Sequence, residues 1–175
     1  MLTYILLTVV GLIAAVLIYA ATRPDVFRVQ RTASIEAPPE KLFAMINGYR
    51  NWPSWSPYER LDPAMQRTLS GPESGKGSIY EWEGNAKIGK GRMEILETTP
   101  PSSVTIKLDF FKPFEAQNTA VFTLKPNGGA TDVTWAMHGP APFMSKLMGV
   151  VMNMDKMVGG QFAEGLANMK AAAEK

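Results

Sequence analysis

The stretch FMSKLMGVVMNMDKMVGGQFAEGLANMKAAAEK, residues 143–175, decides the fold. Its apolar side chains fall at Phe143, Leu147, Val151, Met154, Val158, Phe162, Leu166 and Met169. Steps of four and three predict a helix with one buried stripe. Such a stripe needs a partner surface. Methionine is dense in the first half (Met144, Met148, Met152, Met154, Met157), and its unbranched thioether adapts to variable contents better than a branched side chain does. Two features interrupt the pattern. Gly159-Gly160 predicts a break or kink, because each glycine costs about 1 kcal/mol relative to alanine in a helix interior. Asp155 falls at an angle inside the apolar arc, where a carboxylate needs a reason.

The partner surface lies upstream. Thr131 to His138 alternates with Val133, Trp135 and Met137 on one parity, and Asn127-Gly128-Gly129 before it is a hairpin turn of residues that accept positive φ. Phe114 to Lys125 carries Ala116, Asn118, Ala120, Phe122 and Leu124 on one side. Val104, Ile106, Leu108 and Phe110 alternate with Thr105, Lys107 and Asp109, the clearest strand of the chain. Arg92 to Thr98 points Met93 and Ile95 inward, Ser78 to Glu83 does the same with Tyr80 and Trp82, and Met65 to Leu69 predicts a shorter strand. The first strand, Val26 to Ala37, alternates Phe27, Val29, Ala33 and Ile35 with polar residues; Arg31 shares the apolar parity and is expected to snorkel outward. Pro38-Pro39-Glu40 opens a short helix with Leu42, Phe43 and Ile46 as its buried side. Asn51 to Pro63 holds too many prolines for regular structure, so Trp52, Trp55 and Tyr58 sit on an irregular loop. Consecutive strands on short connections imply one curved antiparallel sheet.

Residues Leu2 to Ala21 carry no charge, and about 20 residues at 1.5 Å each match a hydrocarbon core of roughly 30 Å. We read residues 1–22 as an uncleaved transmembrane anchor, 23–26 as a linker and 27–175 as one domain. A basic region before the apolar run and a small-x-small cleavage site, the marks of a signal peptide, are both missing. Arg23, Arg28 and Arg31 follow the run, so the positive-inside rule places the domain in the cytoplasm.

The 175 residues hold 18 Lys and Arg against 16 Asp and Glu, a balance that gives a nucleic acid nothing to bind. With no cysteine and a single histidine, His138, thiol nucleophiles and multi-histidine metal sites are excluded; neither a metal nor a cofactor is expected. Strand parity puts His138 opposite Trp135 and Met137, at the surface or rim. The run GPESGKG (71–77) is no phosphate loop, failing in both glycine spacing and final residue.

The pieces IEAPPEKLFAMI, NWPSWSPYERLDP, SGPESGKGSIYEWEGN, KIGKGRMEI, FFKPFEA, GGATDVTW and MNMDKMVGGQFAEGLANMK, in this order, resemble the START-like superfamily often labelled SRPBCC. Within it the likeness is to the polyketide cyclase/dehydrase and lipid-transport-like group, over about Phe27 to Lys170. The resemblance implies an α+β helix-grip fold: about seven antiparallel strands curved around the terminal helix, with a cavity between that takes hydrophobic ligands. It carries no catalytic residue over, since only some branches are enzymes.

The expected cavity wall is Tyr80, Trp82, Met93, Ile95, Ile106, Leu108, Phe110, Asn118, Phe122, Trp135 and Met137 from the sheet, with Met144, Met148 and Val151 from the helix. Trp52, Trp55 and Tyr58 are expected at the cavity mouth, as a lid, a bilayer contact or simple packing. Asp155 is the one catalytic candidate, a general base or polar anchor if burial raises its pKa, against the plainer reading of a carboxylate at a helix break or edge. The functional expectation is a membrane-anchored binder of a hydrophobic or amphipathic, lipid-like small molecule. The alternatives are a cyclase- or dehydratase-like enzyme using a cavity acid or base, and a protein-interaction module. Binding is preferred because strand parity brings too few ionisable groups inside for catalysis; oligomeric state is left open.

Overall fold

The computed structural model describes residues 1–151 and 153–175, and for Leu2, Val151 and Met154 the backbone only. Helix α1 (Leu2–Thr22) is followed by strand β1 (Val26–Ile35), helix α2 (Pro39–Asn47), a 3₁₀ segment (Tyr49–Ser54) and the single turn α3 (Tyr58–Leu61). Six strands come next: β2 (Gln66–Ser70), β3 (Ile79–Glu83), β4 (Lys90–Thr99), β5 (Ser103–Lys112), β6 (Ala116–Asn127) and β7 (Ala130–Pro140). Helices α4 (Phe143–Val151) and α5 (Met154–Ala173) close the chain.

All strand pairs are antiparallel, and the sheet runs in the order β1-β7-β6-β5-β4-β3-β2. The connections from β2 onward join sheet neighbours. The exception is β1, which pairs with β7 and so brings the two ends of the domain together. The expected alternation holds on the inner face: Val104, Ile106, Phe122, Leu124 and Val133 are buried beside Trp135. A stack runs from the sheet into α5, with the rings of Trp135 and Phe162 4.1 Å apart and nearly parallel, and Phe122 on Trp135 at 5.0 Å. Gly165 makes room for it, since a Cβ there would stand 2.8 Å from Trp135 Cζ3 and 3.0 Å from Pro57 Cδ.

The terminal helix differs from expectation in where it breaks. Gly159-Gly160 lie inside an uninterrupted α5, which begins only at Met154, after Asn153. Asn153 caps α5 there, its Oδ1 accepting the Lys156 N–H at 3.0 Å, and Asp155 adds negative charge to the first turn where the helix dipole favours it. Gly159 serves another purpose. The Arg31 guanidinium crosses the helix at that point, and a Cβ would collide with it.

The stretch 51–63 is more regular than its prolines suggested. Trp52 and Trp55 are buried, and their indole N–H groups donate to the Ile46 and Met45 carbonyls at 3.0 Å each. Those are C-terminal carbonyls of α2, which have no partner within the helix. The two tryptophans therefore cap α2 from below and hold the segment against the sheet.

Candidate functional site

Between α5, α3 and the β3–β5 side of the sheet lies a cavity of about 360 Å³. Tyr80, Trp82, Met93, Leu108 and Phe110 line it from β3, β4 and β5, with Trp135 and Met137 from β7. Trp52 and Tyr58 line it from below, while Met157, Val158, Gln161 and Phe162 of α5 form the opposite wall. The Trp82 ring lies over Gly91, where a Cβ would overlap it, and its N–H donates to the Ile88 carbonyl at 3.1 Å. That bare patch on β4 lets a large side chain lie flat and leaves space above it.

Other residues expected on the wall lie elsewhere. Ile95, Ile106 and Phe122 are fully buried in the solid part of the core. Inward parity is shared by residues that face a void and residues that face packed side chains, so it does not separate them. Asn118 is buried but off the cavity: its Nδ2 is 4.0 Å from Met137 Sδ, and its side chain fills the space that Gly139 leaves. Met144 and Met148 are exposed on α4, which packs against α1 instead of covering the cavity. The Val151 side chain lies outside the described residues. Trp55 is core, not mouth, and Trp52 reaches the cavity from within the core; of the three aromatics only half-buried Tyr58 keeps a place between core and cavity.

Asp155 takes the plainer of its two expected readings, an exposed carboxylate in the first turn of α5. It is 61% exposed and receives both Arg31 Nη1 (3.0 Å) and Nη2 (2.9 Å). The Arg31 hydrogen bonds hold its carboxyl below the ordinary value of 3.8, the opposite of what a base raised by burial requires. Arg31 thus snorkels out of the sheet to an ion pair rather than to water. His138 is half-buried on the outer face, its Nδ1 without a partner among the described residues.

The structure adds a polar group that sequence reasoning missed. Glu59 of α3 is nearly buried and lines the cavity. Its Oε1 accepts the Tyr80 hydroxyl at 2.5 Å and its Oε2 accepts Arg67 Nε at 2.6 Å. Burial, reinforced by the Glu59 carboxylate, pushes the Tyr80 phenol well above its usual range, so it stays protonated and donates. Gln161 Oε1 is buried with no partner among the described residues. Glu59 sits where prolines hide any periodicity, so no pattern pointed to it. Gln161 was legible: spaced three from Val158 and next to Phe162, it belongs to the inner stripe of α5.

The architecture is a seven-stranded antiparallel sheet against one long helix, with a cavity between them. Residues 26–174 match the family described as polyketide cyclase / dehydrase and lipid transport. The chain belongs to this family. Solved structures share the architecture at low identity. Protein CV1439 from Chromobacterium violaceum superposes with a TM-score of 0.60 at 16% identity, covering 87% of this chain and 99% of that one. Protein Ms6760 from Mycobacterium smegmatis gives 0.57 at 20% identity, covering 85% and 95%. The di-domain ARO/CYC BexL from the BE-7585A biosynthetic pathway gives 0.63 at 15% identity, covering 90% of this chain and 53% of that one. At these identities the likeness establishes the helix-grip fold. No curated protein matches the sequence.

Helix α1 is long and apolar enough to cross a membrane, with mean hydropathy 2.5 over an 18-residue window inside Thr3–Thr22. Among its described side chains all are exposed apart from Ala20, and the helix is in contact with α4.

Proposed function

We propose that this protein holds a hydrophobic or amphipathic small molecule in the cavity between sheet and α5, next to a membrane to which α1 anchors it. The observation that carries the reading is the apolar cavity itself, whose volume of about 360 Å³ falls at the small end of the range for ligand sites. That size suits one ligand of drug-like dimensions, bound by apolar burial at about 25 cal/mol per Å². Membership of a family that includes lipid transport supports it. Support for the anchor comes from α4, which lies against α1 and exposes Phe143, Met144 and Met148. Such a face would rest in the interfacial layer of a bilayer. Arg23 and Arg28 border a groove between the linker after α1, β1 and α4, where anionic headgroups would meet them. With arginines on this side of α1, the domain is cytoplasmic.

Native mass spectrometry of the full chain released from its membranes tests the reading. A stoichiometric small molecule that survives washing and is extracted with organic solvent is the expected result. A mass equal to the bare chain in every preparation would overturn it.

A second reading, an enzyme of cyclase or dehydratase type, draws on one observation: Glu59 and Tyr80 meet at the cavity wall, with Arg67 hydrogen-bonded to Glu59. Under it, the molecule extracted from a Glu59→Gln variant differs chemically from that extracted from the wild type, as substrate differs from product. The same molecule in both removes it.

A further inference from the structure

The two ends of the sheet carry different turns. At the end away from α1, the β2–β3, β4–β5 and β6–β7 connections read GPESGKGS (71–78), PPS (100–102) and GG (128–129), prolines, glycines and polar residues only. At the other end, the tip of the β5–β6 hairpin carries Phe111 and Phe114, 45% and 69% exposed. Two large rings left in water on one hairpin tip point to a surface that covers them.

Strand register sets the height of that tip. Val26, the first residue of β1, pairs with Pro140; His138 pairs with Thr119, and Gln117 with Asp109. Continuing the β6–β7 register by two residues brings Gln117 level with Val26. From there the hairpin runs on toward the side from which the chain enters β1, and Phe114, three residues on, stands about 10 Å further out at about 3.3 Å per residue. The linker Arg23–Asp25 covers a similar distance, since three extended residues span at most about 10 Å. The tip therefore reaches the level at which α1 ends, two to three strand spacings or about 10–15 Å to the side.

The cavity mouth lies next to the tip. The exposed residues on the cavity wall, which mark its mouth, are Leu61, Lys87 and Met157. Lys87 and Ile88 lead into Gly89, which lies so close to the Lys112 carbonyl that a Cβ would collide with it. The β3–β4 connection thus joins the mouth to the tip. Charge on these strand ends is small: Lys87, Lys90 and Lys112 stand against Glu83 and Glu115, with Lys90 and Lys112 both paired to Glu83. Apolar burial, not charge, decides what covers the rings.

We propose that Phe111 and Phe114 seat the β5–β6 tip in the surface of the bilayer that α1 crosses, so that the cavity mouth opens at the lipid interface. This rests on α1 being the anchor and the cavity being a ligand site. The aromatic rings leave water for the interfacial layer, while the Lys87 and Lys112 stems lie along it with their ammonium groups among the phosphates. A ligand then passes between acyl chains and cavity without crossing bulk water.

The chain has no cysteine, so a single introduced one carries a nitroxide label at one known place. Full-length Phe114→Cys, Lys87→Cys and Ser102→Cys chains are labelled and placed one per phosphatidylcholine nanodisc. Collision of each label with oxygen is compared with collision with a water-soluble nickel chelate. The expected result is loss of nickel access at 114, partial loss at 87 and full access at 102, where the same label controls for its own partitioning. Binding of 2-naphthol, a ring small enough for the cavity, is followed in the unlabelled chain by quenching of the tryptophans, with empty nanodiscs subtracted. If the chain leaves the discs, the anchor reading fails and takes the docking with it. Nickel access at 114 equal to that at 102 overturns the docking while the anchor stands. Protection at 114 that appears only with two chains per disc assigns the tip to a contact between copies, and overturns it too. Protection at 114 with full nickel access at 87, or with no binding of 2-naphthol, overturns the role of the mouth.

Discussion

The two halves of α5 meet the same sheet and do different things. From Phe162 onward the helix is packed: Phe162, Leu166, Met169 and Ala173 are buried against Trp135, β1 and α2. Before Phe162 the helix spans space, with Met157 half-exposed and Val158 and Gln161 over the cavity. One helix can hold a fold together and still leave room for a guest because its stabilising contacts are gathered at one end. The packed half fixes the position of the other over the cavity.

That division makes a graded set of expectations. Leu166→Ala should cost the most, about 2–5 kcal/mol as for other buried leucines, seen as a lower thermal midpoint, with naphthol affinity of the folded fraction unchanged. Coupled loss of stability and binding would blur the division. Gly165→Ala should follow, at about 1–3 kcal/mol of overpacking, because the new methyl presses on Trp135 and Pro57. Gly160 has open space around it, so Gly160→Ala should stabilise the helix by about 0.5–1 kcal/mol. The same change at Gly159 should bring no gain, since it displaces the Arg31 guanidinium.

Met157→Ala belongs to the other half. At 51% exposure it should alter the midpoint by about 0.5 kcal/mol or less and weaken naphthol binding instead. The smallest effect is expected for Asp155→Asn. A carboxyl whose pKa is depressed by folding adds stability above its unfolded value and loses it as the pH falls through the folded one. The wild type should therefore melt slightly above the variant at neutral pH, and the gap should close on acidification through and below 3.8. A gap that widens in acid would contradict the Arg31 pairing.

Much of the fold was legible because alternation of period two and a stripe of period 3.6 are written residue by residue. The strands from Val104 to Phe110 and from Thr131 to His138 lie inside observed elements, and the resemblance to the helix-grip family gave their arrangement. The helix break was misplaced because glycine was read by propensity. Gly159 answers instead to a side chain 128 positions upstream, Arg31, and the true break carries a local sign, the cap at Asn153. Met144 and Met148 were placed on the cavity by extending one stripe through that break. Parity named the wall without dividing void from core, so Leu108 and Ile106 looked alike although one borders the cavity and the other is wholly buried. Glu59 could not be read at all, since its burial depends on Arg67 and Tyr80 from two later strands.

The methionines provide the most direct measurement of the account. Methyl-labelled methionine in the full chain reports Met93, Met137 and Met157 on the cavity and Met169 in the packed half. On addition of 2-naphthol the first three resonances should shift together and saturate at one equivalent, while Met169 stays where it was. Shifts at Met169 with Met93 and Met157 unmoved, or no saturable shift at any of them, would contradict it.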